Sequence, residues 1–191
     1  MAVTYIKRYR MEVRLDRVPA EAWSEVPEGY QLLSWHPRLL NQHADIKWES
    51  FRDELDVHVF PCLGEKDGCR RLMREISARK DFVPEATWLA CRHSDFSLAL
   101  PTSPQACGTV QGLMTSGREG AIQNLGVHPQ FRDLRIGQSL LSAALRGFQA
   151  VGCRYAHLEV TVQNTAAIRL YERFGFHRVE TLFKISEVQF A

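Results

Sequence analysis

The stretch from Val127 to Gly137 contains residue types that could bind a phosphate group. Pro129 ends a strand, and the following residues lead into a helix whose first N–H groups have no partner within the helix. Those N–H groups and the positive end of the helix dipole attract anions. Arg132 could add a charge-assisted contact, and Gly137 would let a ligand approach the backbone closely. This stretch therefore predicts a site for a pyrophosphate.

A second stretch, residues 164–176, predicts a short helix with a defined start and stop. Asn164 is among the best residues for a helix N-cap, and Gly175 is suited to the position after the last turn. Tyr171 lies on the last full turn. Asn164 could cap the helix, contact a ligand through its side chain, or do both.

Together the two stretches resemble the acetyl-CoA-binding core of the GCN5-related N-acetyltransferases (the GNAT family). The helix follows the family pattern Asn-x-x-Ala-x-x-Leu-Tyr-x-x-x-Gly-Phe at Asn164, Ala167, Leu170, Tyr171, Gly175 and Phe176. The turn follows the pattern Gln/Arg-x-x-Gly-x-Gly/Ala at Arg132 and Gly137. However, Arg135 replaces the first glycine of that pattern, and Asp133 stands where a further glycine is common.

The resemblance implies an α/β fold with a mixed, mostly antiparallel, twisted sheet and helices on both faces. It also implies an enzyme that transfers an acetyl group from acetyl-CoA to a primary amine of a small molecule, peptide or protein, without a metal. The alternative is a non-catalytic acyl-CoA-binding or sensing module of the same fold, which the altered turn would permit.

The resemblance assigns roles to individual residues. Tyr171 would be the catalytic residue, assisting departure of the coenzyme A thiolate. A phenol titrates near ~10 and a thiol near ~8.5, so complete proton transfer is uphill by roughly 2 kcal/mol, and a hydrogen bond to the developing charge is the better description. The coenzyme would contact Leu125, Gly126, Val127, Arg132, Asp133, Leu134, Arg135, Ile136, Gly137, Gln138 and Asn164, with the side chain at 135 able to reach the 3′-phosphate.

No residue is evident as the general base. Many family members carry a glutamate on the strand that leads to the turn, where this chain has Gln123 and Asn124. A lysine amine titrates near ~10.4 and an α-amino group near ~7.7–8.0, so either a water chain removes the proton or the acceptor has a low amine pKa. Four further candidates, none of them favoured, are Glu119, Glu159, His128 and His157.

The acceptor site in this family is usually formed by the first two helices and neighbouring loops, which here are residues 36–82 and the loop 94–107. A cluster of arginines in the second helix could favour an acidic acceptor or form an ordinary charged surface. These arginines are Arg70, Arg71 and Arg74. Trp35, Trp48 and Phe51 are expected in the core.

Hydrophobic periodicity predicts the elements that position these residues. Strands are predicted at 5–15, 30–35, 87–92, 108–115, 120–128, 155–162, 177–186 and 187–190, and helices at 39–55, 66–80, 137–151 and 165–173. This order favours a mixed sheet with helices on both faces. We expect a single domain, residues 1–191, with an acceptor side at 1–85 and an acetyl-CoA-binding core at 86–191.

The composition is that of an ordinary globular chain of 191 residues, with 45% hydrophobic and 24% charged residues. A net charge of +2 gives no reason to expect a nucleic-acid or membrane-surface partner. The five cysteines lack the paired spacing of a zinc site and predict reduced thiols. No apolar run approaches the ~20 residues that span a bilayer. These features favour a cytoplasmic protein, and a homodimer stays open.

Overall fold

A computed structural model of the protein describes residues 4–93, 104–115 and 117–186, and the statements below concern these residues. The strands are β1 (Thr4–Arg14), β2 (Tyr30–Ser34), β3 (Phe82–Arg92), β4 (Gln105–Thr115), β5 (Glu119–Val127), β6 (Tyr155–Thr161) and β7 (His177–Ser186). The helices are α1 (Leu40–Phe51), α2 (Lys66–Ala78), α3 (Ile136–Ala150) and α4 (Thr165–Arg173). The predicted order is confirmed through β7, whereas the predicted strand at 187–190 and most of the loop 94–107 lie outside the described residues.

The strands form one seven-stranded sheet in the order β2-β3-β4-β5-β6-β1-β7. The pair β5–β6 is parallel and the other neighbours are antiparallel, which confirms the predicted mixed, mostly antiparallel sheet. The first strand does not lie beside β2. Arg8 pairs with Thr161 of β6 on one side and with Leu182 of β7 on the other. The proposed division at residue 85 stays a prediction, but β1 belongs to the same half of the sheet as the segments predicted to bind the coenzyme.

The main core lies between the sheet and helix α3. The apolar stripe of α3, which the sequence predicts, is buried at Leu140, Leu141, Ala144, Leu145 and Phe148. It belongs to one cluster with Met11 and Val13 of β1 and with Ala156, Leu158 and Val160 of β6. This packing fixes the direction in which the N-terminus of α3 points.

Helices α1 and α2 pack against each other, and α1 also contacts β4 and β5. Trp48 and Phe51 are half-buried and pack at the edge of the small core between α1 and α2, while α1 turns a partly polar face fully inward. His43 and Lys47 are both 0% exposed. The His43 Nδ1 lies 2.8 Å from the Thr109 hydroxyl, and the Lys47 ammonium has only the Met73 sulfur, at 3.8 Å, as a partner among the described residues.

Candidate active site

Strands β5 and β6 separate after a short stretch of pairing. Their register covers Glu119–Ala121 and Tyr155–His157 alone, and β5 continues unpaired on that side to Val127. A bulge at Asn124, where φ is +49°, changes the register of β5 with β4 and redirects the strand. The backbone groups of residues 125–127 on the β6 side are therefore free to pair with an extended ligand, as an added strand would.

A cavity of about 550 Å³ lies at this opening. Ten of the residues expected to contact the coenzyme line it: Leu125, Gly126, Val127, Arg132, Asp133, Arg135, Ile136, Gly137, Gln138 and Asn164. Tyr171 also lines it. Leu134 does not, and its side chain is 44% exposed. The two stretches that the sequence singles out thus border one space, with the N-terminus of α3 on one side and α4 on the other.

The turn before α3 keeps a glycine-like backbone although two family glycines are replaced. Asp133 and Arg135 both have φ of +62°. The left-handed conformation costs an ordinary residue about 1–2 kcal/mol, and less for aspartate. Arg135 is the N-cap residue of α3 but caps it with no side-chain hydrogen bond, and the N–H groups of residues 136–138 have no acceptor within the helix. The turn therefore retains its shape and its free donors.

The two arginines of the turn have different surroundings. Arg132 donates to the carbonyls of Val127 and Ser50, each at 3.2 Å, and lies 2.7 Å from a Glu54 carboxylate oxygen. Its guanidinium thus ties the turn to the end of α1. Arg135 has no side-chain hydrogen bond or ion pair with any of the described residues, so its charge is available at the cavity.

Gly126 and Gly137, the two glycines expected to let the ligand approach the backbone, differ in what surrounds them. A Cβ at Gly126 would lie 2.7 Å from Phe51 Cε2 and 2.9 Å from Ser50 Cβ, so the end of α1 excludes a side chain there. A Cβ at Gly137 would lie 3.6 Å from Val127 Cγ2, an ordinary contact. The protein itself therefore requires glycine at 126, whereas position 137 is open toward the cavity.

Asn164 and Tyr171 are positioned by helix α4. The Asn164 carboxamide oxygen accepts a hydrogen bond from the Ala167 N–H at 3.1 Å, which confirms the N-cap, and the residue also lines the cavity. Tyr171 is 7% exposed. Burial raises its pKa well above the usual value, and the nearby Asp56 carboxylate raises it further. The phenol therefore stays protonated at neutral pH and can act as a hydrogen-bond donor.

A smaller cavity of about 90 Å³ adjoins the first and shares Tyr171 and Leu125 with it. Arg8, Asp56 and Thr161 form one bonded group in its wall: Arg8 forms an ion pair with Asp56 and donates to the Thr161 hydroxyl at 2.7 Å. Glu159 lies beside them. Sequence reasoning missed Arg8 and Asp56, because they come from β1 and from a 3-10 turn after α1 and carry no motif.

The candidates for a general base are spread over the fold. Glu159 lines the smaller cavity, whereas Glu119 borders neither cavity and lies 2.8 Å from the His157 Nδ1. The His128 Nδ1 accepts a hydrogen bond from the Gln130 N–H at 3.1 Å, and this histidine also lies off both cavity walls. Of these four, Glu159 alone is near Tyr171.

The arginines of α2 do not line either cavity. Arg70 lies 3.3 Å from both Asp45 and Asp67, and Arg71 lies 4.0 Å from Glu65. Phe51, expected in the core, lines both cavities. The part of the predicted acceptor region that borders the site is therefore the end of α1 and the turns after it.

Three further features bear on the class of protein. None of the described helices is long and apolar enough to cross a membrane. Within the same residues there is no group of three or more His, Cys, Asp and Glu side chains arranged to hold a metal ion. The five cysteines are free thiols.

Comparison with known proteins finds relatives that are acetyltransferases. An 88-residue segment is 33% identical to an acetyltransferase of Pectobacterium atrosepticum, and 84 residues are 32% identical to an N-alpha-acetyltransferase of Sulfurisphaera tokodaii. These segments cover 46% and 44% of this chain and span only 62% and 50% of the two relatives.

Solved structures show the same fold. A GCN5-related N-acetyltransferase from Sphaerobacter thermophilus superposes with a TM-score of 0.66 at 25% identity, over 96% of this chain and 52% of that one. The ribosomal-protein-S18-alanine N-acetyltransferase of Escherichia coli superposes with a TM-score of 0.57 at 13% identity, over 84% of this chain and 96% of that one.

The family model described as the acetyltransferase (GNAT) family matches residues 40–176, from the start of α1 through α4. This span contains the parting strands, the turn before α3 and Tyr171. The chain therefore belongs to the GNAT family of acetyltransferases.

Proposed function

We propose that the chain is an N-acetyltransferase that uses acetyl-CoA as donor and a primary amine of a small molecule or peptide as acceptor. The observation that carries this proposal is the large cavity, which runs from the free N–H groups of α3 to the buried phenol of Tyr171. The open position at Gly137 suits a pyrophosphate, and the charge of Arg135, which no described residue pairs with, suits a 3′-phosphate. One relative is an N-alpha-acetyltransferase, which supports an amine acceptor.

In this reaction the neutral amine attacks the thioester carbonyl, a C–N bond forms, and the C–S bond breaks to leave the coenzyme A thiolate. Tyr171 would donate a hydrogen bond to the sulfur as negative charge develops on it. Because burial raises the pKa of this phenol, its proton would be shared late in the step and not lost early. The acceptor ammonium must first lose one proton to give the neutral amine, and water in the cavity would carry this proton away. The nitrogen loses a second proton as the amide forms, which balances the charge of the departing thiolate.

The proposal is tested by two measurements on the same preparation. Acetyl-CoA should raise the melting temperature of the protein, and a thiol-release screen with amines should show turnover with at least one of them. Absence of any stabilisation by acetyl-CoA or coenzyme A would contradict the proposal.

A non-catalytic acyl-CoA-binding module is the second candidate, which the replaced glycines of the turn and the lack of an evident general base permit. Such a module would be stabilised by acetyl-CoA but would release no thiol with any amine. Five free thiols fit a reducing compartment, and we propose the cytoplasm as the location.

A further inference from the structure

The smaller cavity has the position of an acceptor subsite relative to the proposed coenzyme site. It adjoins the large cavity at Tyr171 and is not lined by the turn or the start of α3. Its volume of about 90 Å³ is enough for roughly three water-sized groups. It can therefore hold the amine end of an acceptor next to the thioester carbonyl, with the rest of the acceptor outside.

The charges in its wall are unequally accessible. The side chain of Arg8 is 6% exposed, while those of Asp56 and Glu159 are 15% and 33% exposed. The guanidinium forms an ion pair with Asp56 and donates to the Thr161 hydroxyl and the Glu159 carbonyl, and its Nε–H has no hydrogen-bond partner among the described residues. The Glu159 carboxylate lies 3.7 Å from this Nε and 3.8 Å from the Lys184 ammonium, which offsets part of its charge. A ligand in the cavity thus meets the Asp56 carboxylate, which is more exposed than its cation Arg8, and a Glu159 carboxylate that is paired with Lys184.

Position also connects Asp56 to the reacting groups. Asp56 lines both cavities, and its charge contributes to the raised pKa of Tyr171. Its carboxylate is oriented by Arg8 and by Thr161, whose hydroxyl lies 3.1 Å away. An ammonium bound there would lie beside Tyr171, whose phenol is proposed to contact the thioester sulfur.

We propose that Asp56, anchored by Arg8 and Thr161, binds the amino group of the acceptor. It would hold the ammonium as it enters and accept a hydrogen bond from the neutral amine once water has taken its proton, while Glu159, whose charge Lys184 partly offsets, adds a weaker negative field. This inference rests on the proposed function and names its acceptor class: cationic primary amines without a carboxylate close to the nitrogen. A free amino acid would bring its carboxylate against Asp56 and Glu159 and is disfavoured, because like charges repel at this distance.

The test uses glycinamide and glycine as probes, because glycine has a carboxylate that glycinamide lacks. This carboxylate also raises the pKa of the glycine amine, so the quantity compared is the kcat/KM ratio of glycinamide to glycine in wild type and in Asp56→Asn at one pH, where the effect of amine pKa cancels. Thiol release at saturating acetyl-CoA should give a ratio at least about tenfold higher in the wild type than in Asp56→Asn. Asp56→Asn should raise the KM for glycinamide by about tenfold, as expected for loss of a charged hydrogen bond, and leave the KM for acetyl-CoA unchanged. In the same variant, the kcat/KM ratio of glycinamide to glycine should fall.

Controls separate binding from folding. Asp53→Asn removes an exposed carboxylate from the same segment and should change neither constant. If Asp56→Asn fails to fold because Arg8 is left unpaired, the double variant Arg8→Met/Asp56→Asn removes the whole pair and keeps the test possible. Glu159→Gln should raise the KM for glycinamide by a smaller factor than Asp56→Asn does.

The outcomes distinguish the two proposals. Acetyl-CoA binding and amine turnover with an unchanged glycinamide-to-glycine ratio in Asp56→Asn would overturn the role of Asp56 alone. A wild-type protein that prefers glycine would do the same. No acetyl-CoA binding, or no turnover of any amine, would overturn the proposed function and this inference with it.

Discussion

Replacing Lys47 with methionine should make the protein more stable, because the wild-type lysine is buried without a counterion among the described residues. Its side chain is 0% exposed, and burial lowers its pKa from 10.5 to about 7. Between about pH 7 and 10.5, Lys47 therefore carries its proton in the unfolded chain but is mostly neutral in the folded protein. In this window the contribution of Lys47 to stability rises with pH, since the unfolded state holds more protons.

The pKa difference sets the size of the effect. Each pKa unit corresponds to about 1.4 kcal/mol, so the lysine costs the folded state roughly 4 kcal/mol at pH 7 and roughly 3 kcal/mol at pH 8.5. Methionine has a similar length, removes the charge and can keep the contact with Met73. Lys47→Met should therefore exceed the wild type in free energy of unfolding by about 4 kcal/mol at pH 7, and by less at pH 8.5.

Urea unfolding at pH 6, 7 and 8.5 measures this gap. The difference between the two proteins is the quantity to follow, because titrating groups remote from Lys47 affect both proteins alike. Lys80→Met changes an exposed lysine and should leave stability the same at each pH. A gap that does not narrow at higher pH, or a Lys47→Met protein less stable than wild type, would refute the reasoning.

Substitutions at four positions test the site. Arg135→Gly should be more stable than Arg135→Ala by about 1 kcal/mol in urea unfolding, because glycine relieves the left-handed strain. In calorimetry, both variants should bind coenzyme A several-fold more weakly than the wild type. Their affinity for dephospho-coenzyme A, which lacks the 3′-phosphate, should be unchanged. Gly126→Ala should lower the free energy of unfolding by about 1–3 kcal/mol through its clash with α1, whereas Gly137→Ala should not, and equal effects would contradict this geometry. Tyr171→Phe should lower kcat at least about tenfold with acetyl-CoA affinity preserved, and an unchanged kcat with chemistry rate-limiting would exclude its role at the sulfur.

Local sequence patterns anticipated the elements around the site well. The helix after Asn164 and the strand from His177 have the predicted bounds, because a cap, a stop glycine and an apolar alternation are all local signals. Helix α3, predicted at 137–151, spans Ile136–Ala150, and its continuous apolar stripe places it to within one residue. The cavity then brings together the two motifs, since they follow neighbouring strands that part.

Long-range and polar features could not be read in this way. The pairing of β1 with β6 depends on which strands share a sheet edge, and no local pattern encodes that choice. Arg8 and Asp56 are 48 residues apart and meet only in the folded chain. Beside Ala44 and Ile46, helix α1 buries His43 and Lys47, which the apolar pattern does not predict. For His43 the reason is the Thr109 hydroxyl on the strand beneath, whereas Lys47 meets only the Met73 sulfur among the described residues.

The position of β1 also bears on how the chain reaches its native state. Arg8 and Thr161, hydrogen-bonded in the fold, are 153 residues apart in sequence. During synthesis neither edge of β1 can pair until β6 and β7 have been made. Contacts between residues so far apart in sequence slow folding. An unpaired strand is prone to aggregate meanwhile, and the closely spaced cations Lys7, Arg8 and Arg10 would discourage wrong partners. The arginine that anchors the proposed acceptor site would thus also protect the strand before that site exists.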